Sequence, residues 1–213
     1  MAAIAQEQRK SRIGSRYGRA LLPDRLKGER FLIAPCIIDD LSREPPTAAI
    51  GTQWRLFTDQ VMGGVSKGTM TREAVADRAA IRMRGDVSLK NNGGFVQIAL
   101  DLSLDGKGID ASAWGGIELD VFGNGEEYGF HLRTDALTRP WQSYRQTFIA
   151  YAEWRTIQLQ FGSFLPHRTD VPLDTHRLRR ISLVAIGRPF SSEISLAGLR
   201  FIPINDSNNN GFL

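Results

Sequence analysis

Apolar and polar residues alternate with a period of two along most of the chain from about Ile33 onward, the pattern of extended backbone buried on one face. In Gly116 to Phe122, Ile117, Leu119 and Val121 share one face and Glu118 and Asp120 the other. Tyr128 to Arg133 repeats it: Tyr128, Phe130 and Leu132 alternate with Gly129, His131 and Arg133. The Gly123-Asn124-Gly125 turn between these two segments predicts a hairpin with a slightly long loop. Further strands are expected at Lys67 to Arg72, Ala79 to Met83, Phe95 to Leu102, Tyr144 to Ala150, Arg155 to Phe161, Arg180 to Ile186 and Glu193 to Ile202. Most are separated by Gly, Pro, Asn or Asp clusters, and only Asp174 to Arg179 and short pieces near the N-terminus suggest helix. Many strands without intervening helices predict an all-β fold, an antiparallel β-sandwich of two packed sheets.

Composition leaves room for one well-filled core: 213 residues, 42% hydrophobic and 23% charged. The expected organisation is a basic N-terminal arm over 1–32, the sandwich over 33–204 and a polar, disordered tail over 205–213. Residues 1–30 carry eight Lys or Arg against three Asp or Glu, whereas the rest carries 19 against 20. The arm, with Arg9, Lys10, Arg12, Arg16 and Arg19 among its bases, therefore holds the whole cationic excess. Such an arm is a solvated tail or an anchor for an anionic membrane face, an acidic partner or RNA. No run of apolar residues reaches membrane-spanning length, and the N-terminus lacks the apolar core of a secretory signal, so a cytoplasmic protein is expected. Cys36 is the sole cysteine, which excludes an intrachain disulfide, and its apolar neighbours predict a structural thiol.

The stretch Thr58-Asp59-Gln60-Val61-Met62-Gly63-Gly64-Val65-Ser66 has adjacent glycines after an acidic turn, which specifies a backbone shape. Its apolar Val61, Met62 and Val65 predict a loop packed against the core. Gly64 to Gly68 also matches the G-x-S-x-G nucleophile elbow, but a Thr-rich strand follows where the elbow needs a helix, so Ser66 is expected to bond backbone. Asp101 to Gly106 has oxygens at calcium-loop spacing, yet Ser112 occupies the position of the bidentate Glu, and an Asp-Gly turn is expected. Three histidines without zinc-ligand spacing give no metal site. No catalytic set emerges, so a non-enzymatic protein is expected. His131 and Arg133, with Trp141 and Tyr144 bracketing the next strand, form the candidate ligand or partner face; the alternatives are a solvated outer face and core-filling rings.

Several segments in order resemble the complex I intermediate-associated protein 30 family. They are Ile38-Asp39-Asp40-Leu41, Trp54 to Ser66, Asn92-Gly93-Gly94-Phe95, and Gly123-Asn124-Gly125 with Tyr128 to Arg133. Trp141, Phe148, Trp154, Phe161, Phe164-Leu165-Pro166 and Ile194 to Ile202 follow, so the resemblance covers roughly 33–204. Asn124 departs from it, standing where the family more often has Asp. The resemblance implies a galactose-binding-like jelly roll and a non-catalytic assembly factor for a membrane-bound electron-transfer complex, respiratory or photosynthetic. Its implied partners are protein subunits of that complex, at a membrane, and no cofactor apart from a structural calcium ion that such jelly rolls often carry. A carbohydrate-binding module is the second reading, and RNA binding through the arm the third.

Overall fold

The alternation resolves into two antiparallel sheets that share their apolar faces. A computed structural model describes residues 35–204. In chain order these form β1 (Cys36–Asp39), β2 (Trp54–Thr58), β3 (Lys67–Val75), β4 (Arg78–Val87), β5 (Phe95–Asp101) and β6 (Gly116–Phe122), followed by β7 (Glu126–Thr134), β8 (Ser143–Ala150), β9 (Arg155–Gln160), β10 (Leu165–His167), β11 (Leu178–Ile186) and β12 (Phe190–Ile202). The first sheet runs β3-β4-β12-β6-β9, and the second β10-β8-β7-β11-β5-β2. β12 is long enough for β4 to pair with its first half and β1 with its second, along the edge opposite β6.

The two-residue period sets what each strand buries. Ile117, Leu119 and Val121 of the first sheet face Tyr128, Phe130, Leu132, Ile181 and Leu183 of the second, all in one core. Asp39 closes the end of β1: its carboxylate accepts from the indole Nε1 of Trp54 at 2.7 Å and from the amides of Leu41 and Ala49, so this buried acid is fully bonded. Cys36 packs against the core, and burial pushes its thiol pKa up.

The predicted strands are present: β6 has the expected bounds, β5 and β9 end one residue early, the others extend by one to five residues in all, and β1, β2 and the three-residue β10 add to them. The segment after Pro172 gives only a 3₁₀ turn over Thr175–Arg177. The predicted hairpin is corrected. β6 pairs with β12 and β9, β7 with β8 and β11, so the Gly123–Gly125 turn carries the chain from one sheet to the other. The end of β8 holds this crossing: the amides of Gly123 and Gly125 donate to the carbonyls of Tyr151 and Ala150. A Cβ on Gly123 would lie 2.4 Å from that of Ala150, which is why the crossing needs glycine there. Alternation identifies the inward face of a strand but not its partner. The arm with Arg9, Lys10, Arg12, Arg16 and Arg19, and the tail over 205–213, lie outside the described residues.

Candidate functional site

The double-glycine loop is built around one carboxylate. Asp59, fully buried at the start of a 3₁₀ turn (Asp59–Met62), accepts from the Ser66 amide at 2.9 Å, the Ser66 hydroxyl and the Gly94 amide at 2.5 Å, and the Phe95 amide at 3.4 Å. Burial opposes its ionisation, but these bonds outweigh it and hold the pKa below the usual carboxylate value. A Cβ on Gly64 would come 2.3 Å from the Asp59 Cγ, and one on Gly93 2.3 Å from its Oδ2. Two glycines from different loops therefore close on the two sides of one carboxylate. Gly63 ends the turn at φ 86°, the left-handed region that favours glycine. Ser66 itself is buried, accepts from the Ser88 amide at 2.9 Å, and has no hydrogen bond to a histidine among the described residues. It stitches the β2–β3 loop to the β4–β5 loop.

The anchoring leaves the apolar residues of the loop outside, which corrects the expectation that they pack inward. Val61 is 71% and Met62 64% exposed, and Val65 and Leu89 are also exposed. The carboxylate and the tight glycine turns fill the space beneath them. The Asn91 side-chain amide donates to the Gly63 carbonyl, and the Leu89 side chain lies over Gly94, so all four apolar residues belong to one two-loop tip. Beside it, an open groove of about 460 Å³ lined by Leu56, Thr58, Gln60, Val61 and Lys67 runs between the free edges of β2 and β3.

The outer face of the second sheet is different. Register places Arg55, Ala99, Ser182, His131, Arg145 and Leu165 in one row across it, with Asp101, Arg180 and Arg133 in the neighbouring row. His131 is only 8% exposed although it points outward, because the Nε2–Cδ2 edge of its ring lies over Gly129, its Nε2 2.8 Å from where a Cβ would be. Burial, with Arg145 and His167 nearby, lowers its pKa to about 3, so it is neutral at physiological pH. Arg133 points the same way but donates to the carbonyls of Leu137, Arg139 and Pro140, holding the loop that carries Trp141. Trp141 is exposed with the Arg139 guanidinium 6.0 Å from its ring. Tyr144 is a correction: its ring is in the core and its hydroxyl donates to the Pro172 carbonyl, because its position in β8 has inward parity. Arg145, one residue on, is the outward neighbour of His131 that the sequence reading missed, since only strand register brings them together.

The outer face of the first sheet is neutralised internally. Arg82 and Arg84 pair with Glu73 and Glu193, and Arg78 and Arg200 with Asp120. At the calcium-like segment, Asp101 is bound bidentately by Arg180 at 2.6 and 2.9 Å, while Asp105 accepts from Ser103 and Lys107 in its own turn. Among the described residues no cluster of three or more His, Cys, Asp or Glu is placed to hold a metal, and no helix is long and apolar enough to cross a membrane. Asn124 ties the crossing turn to β12, accepting from the Tyr128 hydroxyl and donating to the Ser191 carbonyl.

The sequence model of the family described as Complex I intermediate-associated protein 30 matches residues 47–196. No curated protein matches the chain. Among solved structures, the fold is similar to the family 11 carbohydrate-binding module of a cellulosomal cellulase of Clostridium thermocellum, with TM-score 0.64 and 14% identity over 80% of this chain and 95% of that one. The family 11 module from the same organism in complex with a β-1,3-1,4-mixed-linked tetrasaccharide gives 0.62 and 15%, over 79% and 95%. An exo-β-agarase gives 0.55 and 8%, over 82% of this chain and 26% of that chain. At these identities the likeness is one of fold, a jelly-roll β-sandwich.

Proposed function

The chain belongs to the complex I intermediate-associated protein 30 family, and from that premise we propose that it is a non-catalytic accessory factor that binds protein subunits of a membrane-bound electron-transfer complex during assembly. The observation that carries this reading is the two-loop tip. The double-glycine signature uses Asp59, Gly64, Ser66, Gly93 and Gly94 to fix the loops, and the product is exposed Val61, Met62, Val65 and Leu89. A soluble domain gains nothing in its own stability from apolar side chains held out in water, whereas an interface core gains from burying them. The adjacent groove, with its unpaired β2 and β3 edges, offers backbone hydrogen bonds beside the apolar anchor. Docking there sets the protein on the periphery of the membrane that carries the complex. The carbohydrate-binding reading is less well supported, because Tyr144 faces the core and Trp141 sits beside Arg139 off the sheet face.

Affinity capture of the tagged full chain in mild detergent tests this. Wild type is expected to recover subunits of the complex, and Val61→Asp with Met62→Asp to lose them while the thermal melt stays unchanged. Recovery of the same subunits by the double variant, or of none by wild type at native abundance, would reject the reading.

A further inference from the structure

We propose that the outer face of the second sheet is a separate binding site for an extended acidic protein segment, with one carboxylate seated among Arg145, Arg168 and His131. Arg145 is half-buried, and its Nε donates to the Ser143 hydroxyl at 2.9 Å. Among the described residues no carboxylate pairs with Arg145, Arg168 or Arg55, although four arginines on the opposite face of the sandwich each meet one. Desolvation and the neighbouring Arg168 both disfavour the Arg145 cation, a cost that an incoming anion would remove.

His131 supplies the second, independent observation. It is more than nine-tenths buried, and no hydrogen bond reaches its ring among the described residues. A neutral imidazole has one N–H donor and one acceptor, so a buried ring without partners leaves hydrogen-bonding capacity for a ligand. The guanidiniums, the imidazole N–H and the Ser143 hydroxyl form a donor set suited to a carboxylate.

The shape of the site selects an extended ligand. The floor is short, with Gly129, Ala99 and Ser182 buried among taller Arg55, Arg180 and Arg145. From Arg55 on β2 to Arg145 on β8 the row crosses four strand spacings, about 19 Å at ~4.8 Å each, which an extended segment of about six residues spans. A sugar would need a flat aromatic platform, and the outward aromatics Phe57 and Phe95 stand on the edge strand and at a strand start. This site shares no residue with the two-loop tip, so either can fail alone.

The test is a titration of the histidine-labelled full chain with hexaglutamate, hexaglutamine and hexagalacturonate, followed by imidazole NMR signals. Hexaglutamate is expected to shift His131 and His167 saturably, with affinity about tenfold weaker in Arg145→Gln, partly restored in Arg145→Lys and unchanged in Lys107→Gln. The amide spectrum of each variant reports whether it is folded, and the Arg145→Lys comparison stands if the glutamine variant is not. No imidazole response, equal affinity in Arg145→Gln, or tighter binding of hexagalacturonate than of hexaglutamate would overturn the proposal.

Discussion

Asp59 and Ser66, seven residues apart, share two hydrogen bonds: the Ser66 amide and its hydroxyl each donate to one oxygen of the buried carboxylate. Because the other donors, Gly94 and Phe95, come from a different loop, this acid is the point at which two loops become one rigid body. Asp59→Asn replaces one accepting oxygen with an N–H donor that faces a ring of donors, and is expected to cost about 2–4 kcal/mol in urea unfolding. Gly93→Ala, which drives a Cβ against the same carboxylate, is expected to cost about 1–3 kcal/mol. Equal midpoints for wild type and both variants would show that the carboxylate is not the anchor.

The pH dependence of stability has two separable parts. Asp59 has a lowered folded pKa, so the unfolded chain takes its proton first; its contribution is complete above about pH 4 and is lost as pH falls through the folded value. His131 also has a lowered folded pKa, about 3 against an ordinary 6.5, so its contribution is complete above 6.5 and is lost as pH falls toward 3. Urea midpoints measured at several pH values between 6.5 and 4 should fall less steeply in His131→Gln than in wild type. Parallel curves would mean that His131 is not buried neutral.

Gly129 makes room for the His131 ring, and a methyl group at that position would meet its Nε2 at 2.8 Å. Gly129→Ala should therefore displace the ring into solvent and raise the His131 pKa toward its ordinary value, read by NMR titration. An unchanged low pKa would place the ring elsewhere.

Arg133 donates three hydrogen bonds to the loop before Trp141. Removing them in Arg133→Ala should loosen that loop and increase acrylamide quenching of Trp141 in a chain whose other tryptophans are replaced by phenylalanine. Identical quenching would show that the loop is held by other contacts.

The Tyr128 hydroxyl donates to Asn124 and accepts from the Glu193 amide, and burial raises its pKa well above that of an exposed tyrosine. Ultraviolet titration should show that Tyr128 ionises only as the fold melts, a component that should be missing in Tyr128→Phe. A Tyr128→Phe titration identical to wild type would exclude this.

Strand parity was legible in the order of the residues alone. Ile117, Leu119 and Val121 face inward as their alternation requires, as do Tyr128, Phe130 and Leu132, because burial of apolar side chains on a pleated strand depends only on neighbours two residues away. That order also marked Gly63-Gly64 as a place where backbone shape mattered. Pairing was not legible: β6 and β7 are joined by a short turn yet lie in different sheets, since their partners β12 and β11 are more than 40 residues away in the chain. Val61 and Met62 have the composition of core residues, and only the buried Asp59 beneath them turns them outward. The juxtaposition of His131 with Arg145, and the absence of a carboxylate beside them among the described residues, was likewise decided by strand register. Register is a long-range property, fixed when two sheets close over one core, and no local pattern encodes it.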